Sequence, residues 1–364
     1  MEKTLIWLIV IVIVLIGGYY LFFNKQPVSG EEIKIGVPFV LSGDGAAWGE
    51  NAQKGVNLAV EEINKKGGVN GRKIDVIYEN TEGEAKKAVS AYQKLVSVDK
   101  VEAILGPLLQ TETASVAPLI AKDNIPVIAP SYAAIQNRPN PRNPLLIWMD
   151  PTIEAGRMAE YVFKQGIRKM GVIGTLDSWE NEVSEAFAEK FKSLGGEVVV
   201  KEIVQPDTSD VKLNITRIVN EKPEAIFLGT YFQFIQSLKM VGDLGYKGKL
   251  YSIEVDSYLA NETKSISSGL RFIAPDFYTS DFMKKFEEKY GQKPGIPAGQ
   301  AYDAMNILIS LLAQAKNKEG MLDLMAKLEN YKGVSGNIVL TEDHKTLFPT
   351  AVFEIQDGQF VKVE

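Results

Sequence analysis

The sequence predicts an α/β fold of two lobes built on parallel sheets and preceded by one membrane-spanning helix. Three observations carry this. Short apolar runs alternate with segments of helical period, the alternation starts a second time near residue 150, and residues 5–23 hold no charge. Strands separated by helices of this length need crossover connections, which place helices on both faces of parallel sheets.

Residues 5–23 read LIWLIVIVIVLIGGYYLFF. As a helix they span about 28 Å, close to a bilayer core. Trp7, Tyr19 and Tyr20 suit the interfaces. Lys3 precedes the run, while Glu31 and Glu32 follow shortly after it. That asymmetry orients the body outside the cytoplasm. A cleaved signal peptide is the competing reading, but its apolar region is shorter and ends in a small-x-small site. Residues 1–30 are therefore an anchor, or an uncleaved signal, plus a polar linker. The protein is expected on the extracytoplasmic face of the cell membrane, or secreted or periplasmic if cleavage occurs.

The body begins with a strand at 33–39. Apolar residues at helical spacing (Val56, Ala59, Val60, Ile63) predict a helix over 48–65, stopped by Gly67 and Gly68. A strand at 73–79, a helix at 85–96, a strand at 101–105, a helix near 113–121 and strands at 125–129 and 145–149 follow. Asp150-Pro151 is a helix start: aspartate caps, and proline suits the first helical position. That helix runs to about 165. Strands at 170–174, 198–204, 225–229 and 250–253 then alternate with helices near 179–194, 211–220 and 231–244. The final third reads as helices at 281–290, 298–315 and 321–328 and strands at 337–341 and 350–363. The last pair turns at Asp357-Gly358. Two such runs and a helical return imply similar lobes, with the chain crossing between them more than once.

Composition narrows the function. The chain has 364 residues, a net charge of −6, no cysteine and one histidine. An acidic balance argues against a nucleic-acid partner. The missing cysteines exclude disulfides, thiolate metal sites and a lipid-modified cysteine. A Ser-His-Asp triad would have to use His344, which lies in a polar stretch, and no G-x-S-x-G elbow occurs. Neither an enzyme nor a resident cofactor or metal is expected.

In open parallel sheets ligands bind beyond the carboxyl ends of the strands. The segments that follow the strands hold Trp48, Tyr132, Trp179, Tyr231, Phe232 and Tyr258. Their acids are Asp44, Glu50, Glu112, Asp177, Glu180, Glu254 and Asp256, with no lysine or arginine among them. A phosphate or dicarboxylate site would recruit a basic side chain. Aromatic faces and carboxylates instead suit a neutral, zwitterionic or cationic small molecule. Gly43, Gly45 and Gly49 have spacing one residue too long for a dinucleotide loop.

Residues 33–83, above all INKKGGVNGRKIDV at 63–76, resemble the opening of the extracytoplasmic leucine/isoleucine/valine-binding protein family, the type I periplasmic solute receptors of ABC importers. AILGPL at 103–108, IPVIAPS at 125–131 and YGQKPGIPAGQAYDAMNIL at 290–308 extend the resemblance over the body. It implies two Rossmann-like lobes joined by a three-crossover hinge: lobe I from 31–149 plus 274–332, lobe II from 150–273 plus 333–364. It also implies a small-molecule ligand between the lobes and a membrane permease as partner. A sensory or regulatory receptor of the same fold is the alternative.

Carried over by position, Trp48 covers the ligand from the first lobe, Trp179 replaces a cleft tyrosine, and Tyr231 or Phe232 forms an aromatic wall. Glu254, or the nearby Asp256, accepts the ligand's ammonium group. Other positions depart from the family. Gln110 and Thr111 stand where a carboxylate-binding serine is common. Ser131-Tyr132-Ala133 replaces a Ser-Ala-Thr or Gly-Ala-Thr run, and Met149 stands where an arginine is common. Losing hydrogen-bond partners changes selectivity strongly. An amino-acid-like, amide or cationic ligand is therefore expected rather than ordinary leucine or valine.

Overall fold

The computed structural model describes residues 30–364 except 44, 134, 136–141, 277 and 342–344. The expected anchor at 5–23, the acid Asp44 and His344 lie outside the described residues. Among the described residues no helix is long and apolar enough to cross a membrane.

The first sheet holds β1 (Ile33–Phe39), β2 (Ile74–Asn80), β3 (Ala103–Leu105), β4 (Val127–Ala129) and β5 (Leu145–Leu146). Its order is β2-β1-β3-β4-β5, and every pairing is parallel. Helices α1 (Ala46–Lys65), α2 (Ala85–Lys94) and α3 (Gln110–Asp123) connect the strands. Alternate residues point to opposite cores. Ile35, Val37, Leu105 and Ile128 face α1, while Ile104 and Val127 face Tyr92 and Val116 of α2 and α3. Burial on both faces explains why these strands read as continuous apolar runs.

The second sheet holds β6 (Lys169–Thr175), β7 (Glu197–Val204), β8 (Ala225–Gly229), β9 (Lys249–Ile253), β10 (Arg271–Pro275), β14 (Thr350–Gln356) and β15 (Gln359–Lys362). Its order is β15-β14-β10-β9-β8-β6-β7, parallel from β7 to β10 and antiparallel at the β14 and β15 edge. Helices α4 (Pro151–Lys164), α5 (Ser178–Ser193), α6 (Lys212–Asn220), α7 (Phe234–Asp243) and α8 (Ser257–Glu262) accompany it. The period-2 alternation again separates two cores. Val172, Phe227 and Tyr251 lie on one face, and Ile173, Ile226 and Phe272 on the other.

The chain then returns to the first core through α9 (Ser280–Tyr290), α10 (Ala298–Gln314) and α11 (Lys318–Ala326). A small antiparallel sheet follows, of β11 (Asn330–Gly333), β12 (Gly336–Leu340) and β13 (Thr346–Leu347).

The Asp150 cap forms as the sequence predicts: its carboxylate accepts from the Thr152 amide at 2.9 Å, with Pro151 opening the helix. The hairpin turn is also at Asp357-Gly358, both with positive φ. Other expectations need correction. Residues 271–275 form the buried strand β10, which the sequence reading leaves unassigned because five residues ending in proline carry no periodic signal. The helix expected over 231–244 starts only at Phe234, because residues 230–233 are held by side-chain bonds described below. The lobe boundary expected at 332/333 does not follow the packing. Ile338, Leu340 and Phe348 are buried in the first core, and the chain joins the second sheet only at Thr350.

Two glycines shape the approach to the cavity. Gly106 ends β3 with φ +126°, and a Cβ there would sit 3.1 Å from Phe39 and from the Pro38 carbonyl. Gly49 lets the first turn of α1 sit on the end of β1; a Cβ would fall 1.6 Å from the Val40 carbonyl oxygen.

Candidate ligand-binding cavity

The carboxyl ends of both parallel sheets face one cavity of about 360 Å³. This is the position that open parallel sheets favour for ligands. Every lining residue follows a strand. From the first sheet come Gly45 and Trp48 after β1, Glu82 and Gly83 after β2, Leu108 to Thr111 after β3, Ser131 and Tyr132 after β4, and Trp148 after β5. From the second come Asp177, Trp179 and Glu180 after β6, Tyr231 and Phe232 after β8, and Glu254 after β9. Among the described residues no lysine or arginine lines it.

Nine of the eleven expected site residues line this cavity: Trp48, Gln110, Thr111, Ser131, Tyr132, Trp179, Tyr231, Phe232 and Glu254. Two do not. Ala133 is buried in a small core with Ala129 and Leu146, because its methyl group, four residues past β4, turns inward. Asp256 caps α8, accepting from the Leu259 amide at 2.8 Å, and accepts from the Tyr231 hydroxyl at 2.8 Å. It therefore holds Tyr231 instead of facing the cavity. Sequence reasoning missed Trp148 as a wall residue, since it seemed a strand residue; β5 ends at Leu146 and frees it. A strand of two residues leaves no periodic trace from which this could be read.

The walls meet through aromatic rings. Trp48 lies 5.4 Å from Trp148 and 6.4 Å from Tyr231, centroid to centroid, the latter edge-on. Tyr231 is edge-on to Phe232 at 5.6 Å. Such tilted arrangements match the ring quadrupoles. A polar contact also spans the mouth: Gln110 Nε2 donates to Glu182 Oε1 at 3.3 Å.

All four lining carboxylates have partners. Glu82 pairs with Lys87 at 2.8 Å, and Asp177 caps α5 by accepting from the Trp179 amide at 3.0 Å. Glu180 is buried and accepts from the amides of Tyr231, at 2.7 Å, and Phe232, at 3.2 Å. Its other oxygen accepts from the Thr230 hydroxyl at 3.3 Å. Glu180 thus fixes the loop that carries two aromatic walls and keeps α7 from starting earlier. Burial pushes its carboxyl above the usual range, and these bonds oppose the shift.

Glu254 is different. Its backbone adopts φ +47°, rare for a residue other than glycine, asparagine or aspartate. Its Oε1 accepts from the Trp148 indole at 2.8 Å, and the Glu154 carboxyl of α4 lies against it. Burial raises the Glu254 carboxyl to about 7, against the pull of its contacts with Glu154 and Trp148. Strain of this kind, at a residue aimed into a cavity, marks functional positions.

Two further lining atoms, Trp48 Nε1 and Gln110 Oε1, are buried without a hydrogen-bond partner among the described residues. They offer one donor and one acceptor to an occupant. Thr113 Oγ1 donates to the Leu109 carbonyl at 2.9 Å, so Ser131 is the donor in its 2.7 Å contact with Thr113. That leaves Ser131 acceptor lone pairs rather than a proton to give. Among the described residues no group of histidine, aspartate and glutamate side chains is placed to hold a metal ion.

Residues 32–359 match the model of the family described as "Periplasmic binding protein". The chain belongs to that family. Its members are extracytoplasmic solute-binding receptors, and the resemblance read from residues 33–83 is thereby shown.

Among sequence relatives, the Leu/Ile/Val-binding protein BraC3 of Rhizobium johnstonii is 28% identical over 56% of this chain and 56% of its own. The chain thus spans about half the length of that relative. A Leu/Ile/Val-binding protein homolog of Brucella abortus is 23% identical over 91% of this chain and 92% of its own. Among solved structures, the branched-chain amino acid transporter substrate-binding protein LivJ of Streptococcus pneumoniae, in complex with isoleucine, has a TM-score of 0.82. It is 25% identical and covers 91% of this chain and 100% of its own. A Rhodopseudomonas palustris solute-binding protein in complex with benzoate has a TM-score of 0.79 at 18% identity, covering 91% and 95%. That last likeness shows the fold alone.

Proposed function

We propose that this chain is an extracytoplasmic receptor that encloses one small amino-acid-like, amide or cationic molecule between two lobes and delivers it to an ABC-type importer. By core membership, lobe I is 31–149 plus 276–348 and lobe II is 150–275 plus 349–364. The observation that carries this reading is the cavity itself. Aromatic side chains and the buried carboxylate of Glu254 line it, and among the described residues no cationic side chain does. An aromatic box around a carboxylate stabilises an ammonium or amide N–H group, and supplies no cationic partner to an anion.

Trp48, Gln110, Thr111, Ser131, Tyr132, Trp179, Tyr231 and Phe232 are the contact residues, with Glu254 as the acceptor. The relatives named for leucine, isoleucine and valine, and the isoleucine complex, support an amino-acid-like ligand. The uncharged run at 5–23 supports a membrane tether beside a permease.

A thermal-shift screen of the full-length chain against amino acids, amides, polyamines, betaines and small sugars tests the reading. A ligand at 100 times its dissociation constant adds about 2.7 kcal/mol, which raises the melting temperature by several degrees. A selective rise with one ammonium- or amide-bearing class supports the proposal. A flat response across the panel removes it.

A further inference from the structure

Glu154 is a buried acid that the receptor reading leaves without a task. It sits in the first turn of α4, fully buried, and neither carboxylate oxygen receives a hydrogen bond from an N–H or O–H group of the described residues. What faces it is the carboxyl of Glu254, on the cavity wall. Two carboxylates cannot share a dry site as a dianion without severe repulsion. One carboxyl that keeps its proton and donates it to the other removes the repulsion and satisfies both.

We propose that Glu154 is a positioning residue: protonated, it donates to Glu254, keeps that carboxyl anionic and aims it into the cavity, so that the site selects ligands bearing an ammonium group over aromatic carboxylates. This rests on the receptor reading and gives it a ligand class. Burial and the neighbouring Glu254 both raise the Glu154 carboxyl well above the usual range, so it is the partner that retains the proton. Glu254, at about 7, is the one that ionises near neutrality. Trp148 supplies its second donor.

The surrounding charges leave this pair to itself. Arg157 of α4 pulls the Glu154 proton off only weakly, being bonded to the Phe348 carbonyl and to Thr350 Oγ1. Asp150, at the head of α4, is paired with Lys345 at 3.3 Å. From α5, Lys190 pairs with Glu160. On β10, Arg271 is held by Glu354 and by the Tyr161 hydroxyl. Beyond β9, Asp256 is bonded to Tyr231, and the Tyr251 hydroxyl on β9 is buried and neutral, its ionisation pushed up to about 12.

The first test needs no ligand. In the full-length chain labelled with 15N at tryptophan, the Trp148 indole N–H resonance, assigned with Trp148→Phe, reports ionisation of Glu254. The wild type should show a transition near pH 7. Glu154→Gln keeps an N–H donor and should hold that midpoint, whereas Glu154→Ala should move it upward by one unit or more. The second test is calorimetric titration from pH 5.5 to 8.5 with L-isoleucine, L-leucine, putrescine and choline, against benzoate and succinate. An ammonium-bearing probe should bind about tenfold more weakly at pH 6 than at pH 8, since Glu254 must be ionised to receive it. Glu154→Ala should shift this profile to higher pH, and Glu154→Gln should restore it.

Identical indole midpoints in all three proteins overturn the proposal, as does tighter binding of benzoate than of every cation. If no probe binds at any pH, the receptor reading fails, and the indole midpoints alone decide the role of Glu154.

Discussion

Truncating Trp48 separates a wall that binds ligand from a ring that merely packs. Its indole is half-buried and reaches Trp148 on its own side and Tyr231 on the other, while its Nε1 has no acceptor among the described residues. Trp48→Ala removes two ring pairs, each worth about 0.5–1.5 kcal/mol beyond area burial. The unpartnered N–H disappears with the ring, which offsets part of that loss. The free protein should therefore lose only about 1–2 kcal/mol. Binding should suffer more. A tryptophan at the centre of an enclosing site costs about 2–4 kcal/mol when truncated, a 30- to 1,000-fold rise in Kd. Trp48→Phe keeps the face and deletes the donor, so it should fall between, near tenfold. Titration calorimetry with the tightest ligand of the thermal-shift panel, beside urea unfolding of the ligand-free variants, reads both quantities. Unchanged affinity in Trp48→Ala with intact folding would refute the site. Equal losses in stability and affinity would reduce Trp48 to a packing residue.

Three further outcomes follow from named contacts. Glu254→Gln should weaken an ammonium-bearing ligand by 100-fold or more, as expected when a buried charge partner is lost, whereas Asp256→Asn should cost about tenfold, since it touches the ligand only through Tyr231; equal effects in calorimetry would contradict that division. Glu112 is fully buried, and burial lifts its carboxyl from 4.5 to about 7. Its stabilising contribution is therefore present at acid pH and is lost as pH rises from about 4.5 through 7, so Glu112→Gln should gain up to about 3 kcal/mol over wild type at pH 8 and nothing at pH 4, read by urea unfolding at both. Gly49→Ala places a Cβ 1.6 Å from the Val40 carbonyl oxygen and should lower the melting temperature by several degrees while displacing Trp48; a variant as stable and as tight-binding as wild type would show that α1 has room to move.

Much of the fold was legible because its strands are buried on both faces and its helices carry one apolar stripe. The strand-end rule alone led to Trp48, Tyr132, Trp179, Tyr231 and Glu254, which line the cavity. What stayed hidden depends on pairing rather than period. β10 is five residues long and owes its place to β9 and β14 on either side. The segment 333–348 carries ordinary strand signals, and only the burial of Ile338, Leu340 and Phe348 assigns it to the first core. Asp256 and Glu254 are two residues apart and chemically alike. Their roles part because the backbone at Glu254 takes positive φ while Asp256 turns to cap α8. Glu154 sits in a helix's first turn, where an acid is ordinary, and its partner is a hundred residues away.

One small ammonium-bearing molecule is the occupant proposed for this cavity. Calorimetric titration of the full-length chain at pH 8, with L-isoleucine first and then the rest of the amino-acid, amide, polyamine and betaine panel, tests it most directly. Saturable heat at one site per chain is expected for at least one such molecule, weakened by 100-fold or more in Glu254→Gln. Absence of saturable heat with every member, or binding that survives Glu254→Gln unchanged, would contradict it.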